Sequence, residues 1–297
     1  AFTGVAMRNY ENEVSVDRRR FLAGIGLLSA MAITGCQAEA SSAQIVLASD
    51  ERFLPPLAPP APETRDTRGD LQRAWQEIIS GRAGRIDIAA FNSATGQISR
   101  AGNTNEKFKT ASIIKLAILE KLLMDQPEWA RSNAAYINPM ITLSDNAVAS
   151  ALWSRVGGTG EMQAFFNSIG AGGIIAGGYD GGLFSTLTSA ADQLAVVNNA
   201  AYAAHMRPED AEFARNLLRQ VTPGQRWGVT GGVPAGVNVE LKNGWVDERR
   251  HSIGHVSGQG VDYTIAVLTD DGPGAGYDTE TIELLSAKTW QIMSNTI

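Results

Sequence analysis

Among the six lysines of the chain, only Lys115 has a serine three positions before it, in Ser112-Ile113-Ile114-Lys115. Positions i and i+3 of a helix share a face. A helix starting here would hold a hydroxyl and an amine one turn apart. The run Ile113 to Met124 is rich in Ile, Leu, Ala and Lys, which predicts a mostly buried helix. Burial disfavours an ammonium ion, and a neutral amine beside a hydroxyl can take its proton to make a nucleophile. Read alone, Ser112 is more often an ordinary helix cap. Ser144-Asp145-Asn146 follows Ile141-Thr142-Leu143 and precedes a helical stretch. Its hydroxyl can relay a proton, and the Asn146 amide can donate to and accept from a substrate amide. The same three residues also make a good cap. Lys242-Asn243-Gly244 lies in a strand-like run entered through Val239-Glu240-Leu241. A lysine pointing off that strand can hold a carboxylate and lower the pKa of nearby groups. Gly244 leaves room for another backbone to approach and pair. The plain alternative is a solvent-facing lysine beside a loose glycine.

The elements that must position these groups follow from periodicity. Leu71, Trp75, Ile78 and Ile79 recur at helical spacing, so residues 69–80 are expected to be helical, ended by Gly81. Ile86, Ile88 and Ala90 alternate with Arg85, Asp87 and Ala89 as in a strand. Thr95-Gly96 is a turn signal, and Gln97 to Arg100 returns as a second strand. Asn146 to Val156 reads as a helix stopped by Gly157-Gly158. Residues 157–182 hold ten of the 31 glycines and are expected to be irregular. Leu187 to Ala204 is again helical. Strand-like runs follow at Val237–Val246, Ser252–Val256 and Tyr263–Thr269, and Ile282 to Met293 closes as a helix. Two groups of strands separated by helices predict an α+β fold. Its five strands would form one antiparallel sheet, with the terminal helices on one face and the central helices as a second, reduced lobe.

The chain has 297 residues, 44% hydrophobic and 19% charged, which fits a globular protein. A net charge of −6 with no basic stripe argues against nucleic acid as a partner. The single cysteine, Cys36, excludes an internal disulfide framework and a cysteine-cluster metal site. No apolar run reaches the ~18 residues of a membrane-spanning helix. His251 and His255 would share a strand face but sit roughly 13 Å apart at ~3.3 Å per residue, too far for one metal. No metal or other cofactor is expected. Arg249 and Arg250 beside them could help bind a carboxylate, though such a pair is more often a solvated hairpin end.

The N-terminal part reads as an address. Arg18-Arg19-Arg20-Phe21-Leu22 opens an apolar run to Ile33, too short to span a membrane. It resembles a twin-arginine export signal. Ile33-Thr34-Gly35-Cys36 resembles a lipoprotein processing box, with lipid attached to the Cys36 thiol. Residues 1–35 are thus expected to be a signal peptide. Residues 36–67, rich in Ala, Ser and then Pro, form a semi-rigid spacer, and residues 68–297 are the folded domain. Export to the envelope with a membrane anchor through Cys36 follows.

In order along the chain, Ser-x-x-Lys, Ser-Asp-Asn and Lys-Asn-Gly resemble the motif set of the penicillin-recognising serine enzymes, and most of all class A β-lactamases. Phe108-Lys109-Thr110-Ala111-Ser112, Gly157-Gly158 with Phe165 to Gly170, and Ile265 to Thr269 with the helix through Trp290 extend the resemblance over roughly residues 70–297. It implies that Ser112 is the nucleophile and Lys115 its base. Ser144 shuttles the proton to the leaving nitrogen, and Asn146 binds the substrate amide. Lys242 binds the carboxylate and supports Ser144. The N–H groups of Ser112 and Trp245 form the oxyanion hole. Asn243 stands where the family carries Thr or Ser, and would bind substrate through an amide. Ser112 and Ser144 are closer in sequence than in typical class A enzymes, so the helical lobe is trimmed. Asp180, in Gly177-Gly178-Tyr179-Asp180-Gly181-Gly182-Leu183-Phe184, falls about where the family's deacylating Glu lies, with Phe184 in place of an Asn. It either activates water or caps a glycine-rich turn; the turn reading is slightly favoured. Glu161 is expected to be solvated.

The leading expectation is a monomeric serine acyl-transfer hydrolase that opens β-lactam rings through an acyl-Ser112 intermediate. One alternative is a D-Ala peptidase or esterase of the same fold, releasing β-lactams slowly and acting on a peptidoglycan-type peptide. A non-catalytic envelope lipoprotein that binds peptidoglycan or a partner is the other.

Overall fold

The computed structural model describes residues 66–247 and 249–295. The expected signal and the expected spacer through residue 65, with Cys36, lie outside them; Thr67, at the end of the expected spacer, is buried and accepts from the Asn92 amide, so it belongs to the fold. All described residues belong to one compact unit, Pro59–Ile297.

Helix α1 (Arg68–Ser80) places Leu71 and Trp75 inward. Strands β1 (Arg85–Asn92) and β2 (Gln97–Gly102) form a hairpin. Much later come β5 (Asn238–Val246), β6 (Arg249–Gly258) and β7 (Val261–Asp270). All five join in one antiparallel sheet of order β2-β1-β7-β6-β5, so β5 is an edge strand. The expected α+β sheet is therefore present. Helix α9 (Ala275–Ser294) packs beside α1, pinned by the Trp75 indole N–H donating to Thr289 Oγ1 at 3.0 Å. A short pairing of β3 (Phe108–Lys109) with β4 (Leu187–Thr188) was not foreseen.

Helix α2 (Ile114–Asp125) runs through the middle of the helical lobe. Every residue from Ile114 to Leu123 is buried, including Lys115, Glu120 and Lys121. A helix surrounded by protein shows no solvent stripe. Around it stand α3 (Pro127–Ser132), α4 (Ala134–Thr142), α5 (Asn146–Arg155), α6 (Gly158–Ser168), α7 (Ala190–Tyr202) and α8 (Pro208–Arg219).

Two expectations need correction, and helices α3, α4 and α8 were not foreseen. Residues 157–182 are not wholly irregular, because α6 occupies Gly158–Ser168. Its glycines cluster in the first turn, and Met162, Phe165 and Phe166 bury one face. The helix expected from Leu187 begins at Ala190: Leu187 and Thr188 pair as β4, and the Ser189 hydroxyl caps α7 by accepting from Asp192 N–H. Helix α8 was missed, although Pro208 at its first turn and Glu209 and Asp210 after it are start signals.

Candidate active site

Ser112 sits in a 3-10 turn, Ala111–Ile113, that feeds directly into α2. The turn is anchored by Thr110 N–H donating to Thr186 O at 2.8 Å. His251 Nε2 lies 2.8 Å from Lys109 O. Burial pushes the His251 ring down to about 4, so it is neutral and donates one N–H to that carbonyl. Ala111, next to the nucleophile, has φ of 46°. Ser144, in the turn between α4 and α5, has φ of 60°. Left-handed backbone at a non-glycine residue costs ~1–3 kcal/mol and persists where the surroundings hold it. At Ser144 the hold comes from Asp145, whose N–H donates to Pro139 O and whose carboxylate caps α5 through Val148 N–H.

Those two strained turns converge on one amine. Lys115 Nζ lies 2.8 Å from Ser112 Oγ, 2.9 Å from Ser144 Oγ, 2.7 Å from Ser144 O and 2.7 Å from Asn146 Oδ1. Lys242 Nζ approaches from β5, 3.2 Å from Ser144 Oγ, and donates to Asn243 O at 2.8 Å. Burial pushes Lys115 down to about 8, partly offset by Asp145. Burial and the neighbouring Lys115 charge push Lys242 down to about 7. Two amines on one hydroxyl thus hold their protons weakly near neutral pH, as a proton relay requires. Asn146 Oδ1 faces an amine that can only donate, which leaves its Nδ2 as the donor available to a ligand.

Above this network opens a cleft of about 240 Å³ lined by Ser112, Asn146, Phe184, Ser185, Trp245 and Arg249, among others. Trp245 packs edge-on against Trp227, centroids 6.3 Å apart. As β5 is an edge strand, alternate backbone N–H groups along it face away from β6. Gly244 brings that edge against the nucleophile: a Cβ there would lie 3.0 Å from Ser112 N, 2.9 Å from Ile113 N and 3.0 Å from Thr110 O. The close backbone approach expected beside Gly244 is made, on one sheet face, by the protein's own Ser112 turn.

Other expected site residues lie elsewhere. Asn243 is buried, and its amide donates to Gln225 O at 2.8 Å and Trp227 O at 2.9 Å. Both amide hydrogens are therefore spent on the loop, and Asn243 has no donor left for a substrate. Lys242 is fully buried and is not among the residues lining the cleft. Asp180 is exposed and outside the cleft lining. Its oxygens accept from Gly182 N–H at 2.9 Å and Ser185 Oγ at 2.8 Å, and these bonds lower its pKa. It caps its own turn and is bonded to Ser185, which lines the cleft. Glu161 is 63% exposed and pairs with Lys121 at 3.5 Å.

Sequence reasoning missed Phe184 and Ser185, and undervalued Arg249. Phe184 places its ring centroid 5.2 Å from Lys115 Nζ. Arg249 is no solvated hairpin end: its side chain is 19% exposed, pairs with Asp270 at 3.1 Å, and leaves a buried Nε without a partner among the described residues. His255 is held between Glu240 (2.7 Å) and Asp262 (3.0 Å), away from His251 and its Lys109 partner.

A serine hydroxyl and a buried lysine at the start of a helix, under the edge strand of a five-stranded antiparallel sheet, define a serine acyl-transfer fold. A family model described as the beta-lactamase enzyme family matches residues 127–293, more than half of the chain. The chain belongs to that family and is a serine hydrolase of the β-lactamase type. The matched span includes Ser144 and Lys242 but begins after Ser112 and Lys115. Solved structures agree on the fold. A β-lactamase from Chitinophaga pinensis superposes with a TM-score of 0.66 at 16% identity, covering 75% of this chain and 98% of that one. A class A β-lactamase from Mycobacterium abscessus gives 0.63 at 18%, covering 74% and 98%. A structure titled PBP-A gives 0.64 at 17%, covering 75% and 95%. No curated protein matches the chain.

Proposed function

We propose that the chain opens β-lactam rings by acyl transfer to Ser112, with Lys115 as base and Ser144 as proton relay. The observation that carries this is the 2.8 Å approach of Lys115 Nζ to Ser112 Oγ, with Ser144 Oγ 2.9 Å away. Neutral Lys115 takes the Ser112 proton as Oγ bonds to the lactam carbonyl carbon. The oxyanion is held by the N–H groups of Ser112 and Trp245. When the C–N bond breaks, the proton passes from Lys115 through Ser144 to the lactam nitrogen, and Lys242 steadies Ser144. Asn146 Nδ2 donates to the substrate amide, and Arg249, which lines the cleft, supplies a carboxylate contact.

A second reading, a D-Ala peptidase or esterase of the same fold, is favoured by the position of Asp180. With that carboxylate tied into a turn, no acidic group touches Lys115 or Ser112 among the described residues. A purely binding role finds less support, since both lysines and both serines lie within hydrogen-bond reach of one another. For location, we propose export and a lipid anchor on Cys36, with the protein working as a monomer at the envelope. Nitrocefin turnover by the purified domain and by Ser112→Ala tests the catalytic reading. Turnover is expected in the first and lost in the second; equal rates would sink it.

A further inference from the structure

We propose that Phe184 sets the lifetime of the acyl-Ser112 ester, by closing the side of Lys115 from which a hydrolytic water would be activated. This rests on the acyl-Ser112 reading above. An ammonium has three N–H bonds, and Lys115 Nζ already has four oxygen neighbours between 2.7 and 2.9 Å. The ring of Phe184, half-buried in the cleft wall beside Ser112, stands over the same nitrogen with its centroid 5.2 Å away. Oxygens from Ser112, Ser144 and Asn146 and one aromatic face therefore enclose the amine.

Of the nearby carboxylates, only Asp247, exposed just past the end of β5, lines the cleft with Ser112. Asp145 is spent capping α5, Asp180 is spent on its turn, and Glu161 points to Lys121. A water that Lys115 activates at the ester would come in on the side of the amine that the ring covers.

The ring is held in place. Phe184 lies in a 3-10 turn, Leu183–Ser185, which Asp180 buttresses through Ser185 Oγ. Gly178 (φ 55°) lies so close beneath that a Cβ would meet Ser185 O at 2.0 Å. The Thr186 hydroxyl accepts from Gly177 N–H, and its carbonyl accepts from Thr110 N–H, two residues before the nucleophile. The loop and the Ser112 turn are thus one hydrogen-bonded unit. Asp180 is then a positioning residue for Phe184, one step removed from the reaction.

Deacylation needs water oxygen to bond to the ester carbonyl carbon. One water proton passes to Lys115 Nζ, the carbon–Oγ bond breaks, and that proton returns to Ser112 Oγ. With the ring in place the first transfer is slowed, and the ester outlives the opening of the lactam ring. In Phe184→Ala the path opens.

The test is intact-mass spectrometry of penicillin-treated protein after excess drug is removed, for wild type, Phe184→Ala and Phe184→Leu. Base-assisted proton transfer contributes about 10²–10⁴-fold, so adduct decay in Phe184→Ala should quicken by about 10²-fold. The added decay should rise with pH as Lys115 loses its proton. Acylation should change by only a few-fold, and Phe184→Leu, which keeps most of the bulk, should stay slow. An unchanged adduct lifetime in Phe184→Ala overturns the proposal. So does equal acceleration in both variants with a matching loss of acylation, since that marks general loosening. A wild type with no adduct that still turns over the drug also overturns it, whereas no adduct and no turnover would overturn the acyl-Ser112 reading itself.

Discussion

Gly244→Ala is the sharpest structural perturbation of this site. The added methyl would meet Ile113 N at 2.9 Å, Ser112 N at 3.0 Å and Thr110 O at 3.0 Å. All three are backbone atoms of the nucleophile turn, so no flexible side-chain end can swing aside. Ordinary contact starts near 3.4 Å, so the turn or the strand must yield by about half an ångström. Overpacking of this kind costs about 1–3 kcal/mol. For a domain of this size that corresponds to a Tm lowered by about 3–10 °C. The effect on chemistry should be larger than the effect on folding. A misplacement near 1 Å can cost ~10²-fold in rate, and half of that predicts about a tenfold loss of acylation. The change falls on Ser112 and its backbone N–H, so kcat should drop more than KM rises. Stopped-flow acylation by a chromogenic cephalosporin, run beside a thermal melt, measures both. Acylation within twofold of wild type would refute the argument that Gly244 is kept bare by the nucleophile turn.

Lys115 works as a base only when neutral, and it holds its proton up to about 8. The acylation rate should therefore rise with pH through about 8; a rise already complete by pH 6 would point to a carboxylate base instead. Asp180→Asn keeps the shape of the turn cap while removing the charge, so wild-type decay of the acyl adduct should change by only a few-fold. A fall of ~10²-fold there would restore Asp180 as a catalytic group.

The catalytic groups were legible because each lies in a short local pattern. Ser112 and Lys115 are one helical turn apart, and Ser144 to Asn146 form a single turn-and-cap. Even so, nothing local says that the two turns converge on one amine; that rests on α2 being buried on all sides. The residues read wrongly depend on long-range packing. Lys242 and Asn243 are neighbours on a strand and so face opposite sides. The loop that captures the Asn243 amide, through the Gln225 and Trp227 carbonyls, is nearly twenty residues away in sequence. Phe184 was noted only as a missing Asn, because the fold of a glycine-rich loop over Lys115 leaves no periodicity to read. Arg249 looked like a solvated hairpin end; pairing with Asp270 from the next strand turns it into cleft wall. Helix α6 was hidden by the glycines of its first turn, although Met162, Phe165 and Phe166 carry helical spacing.

The central claim is that Ser112 itself becomes covalently acylated. Peptide mapping by mass spectrometry after penicillin treatment addresses it directly. The account predicts one added intact penicillin on the peptide that contains Ser112, and none in Ser112→Ala. An adduct on another residue, or ring opening that survives in Ser112→Ala, would contradict it.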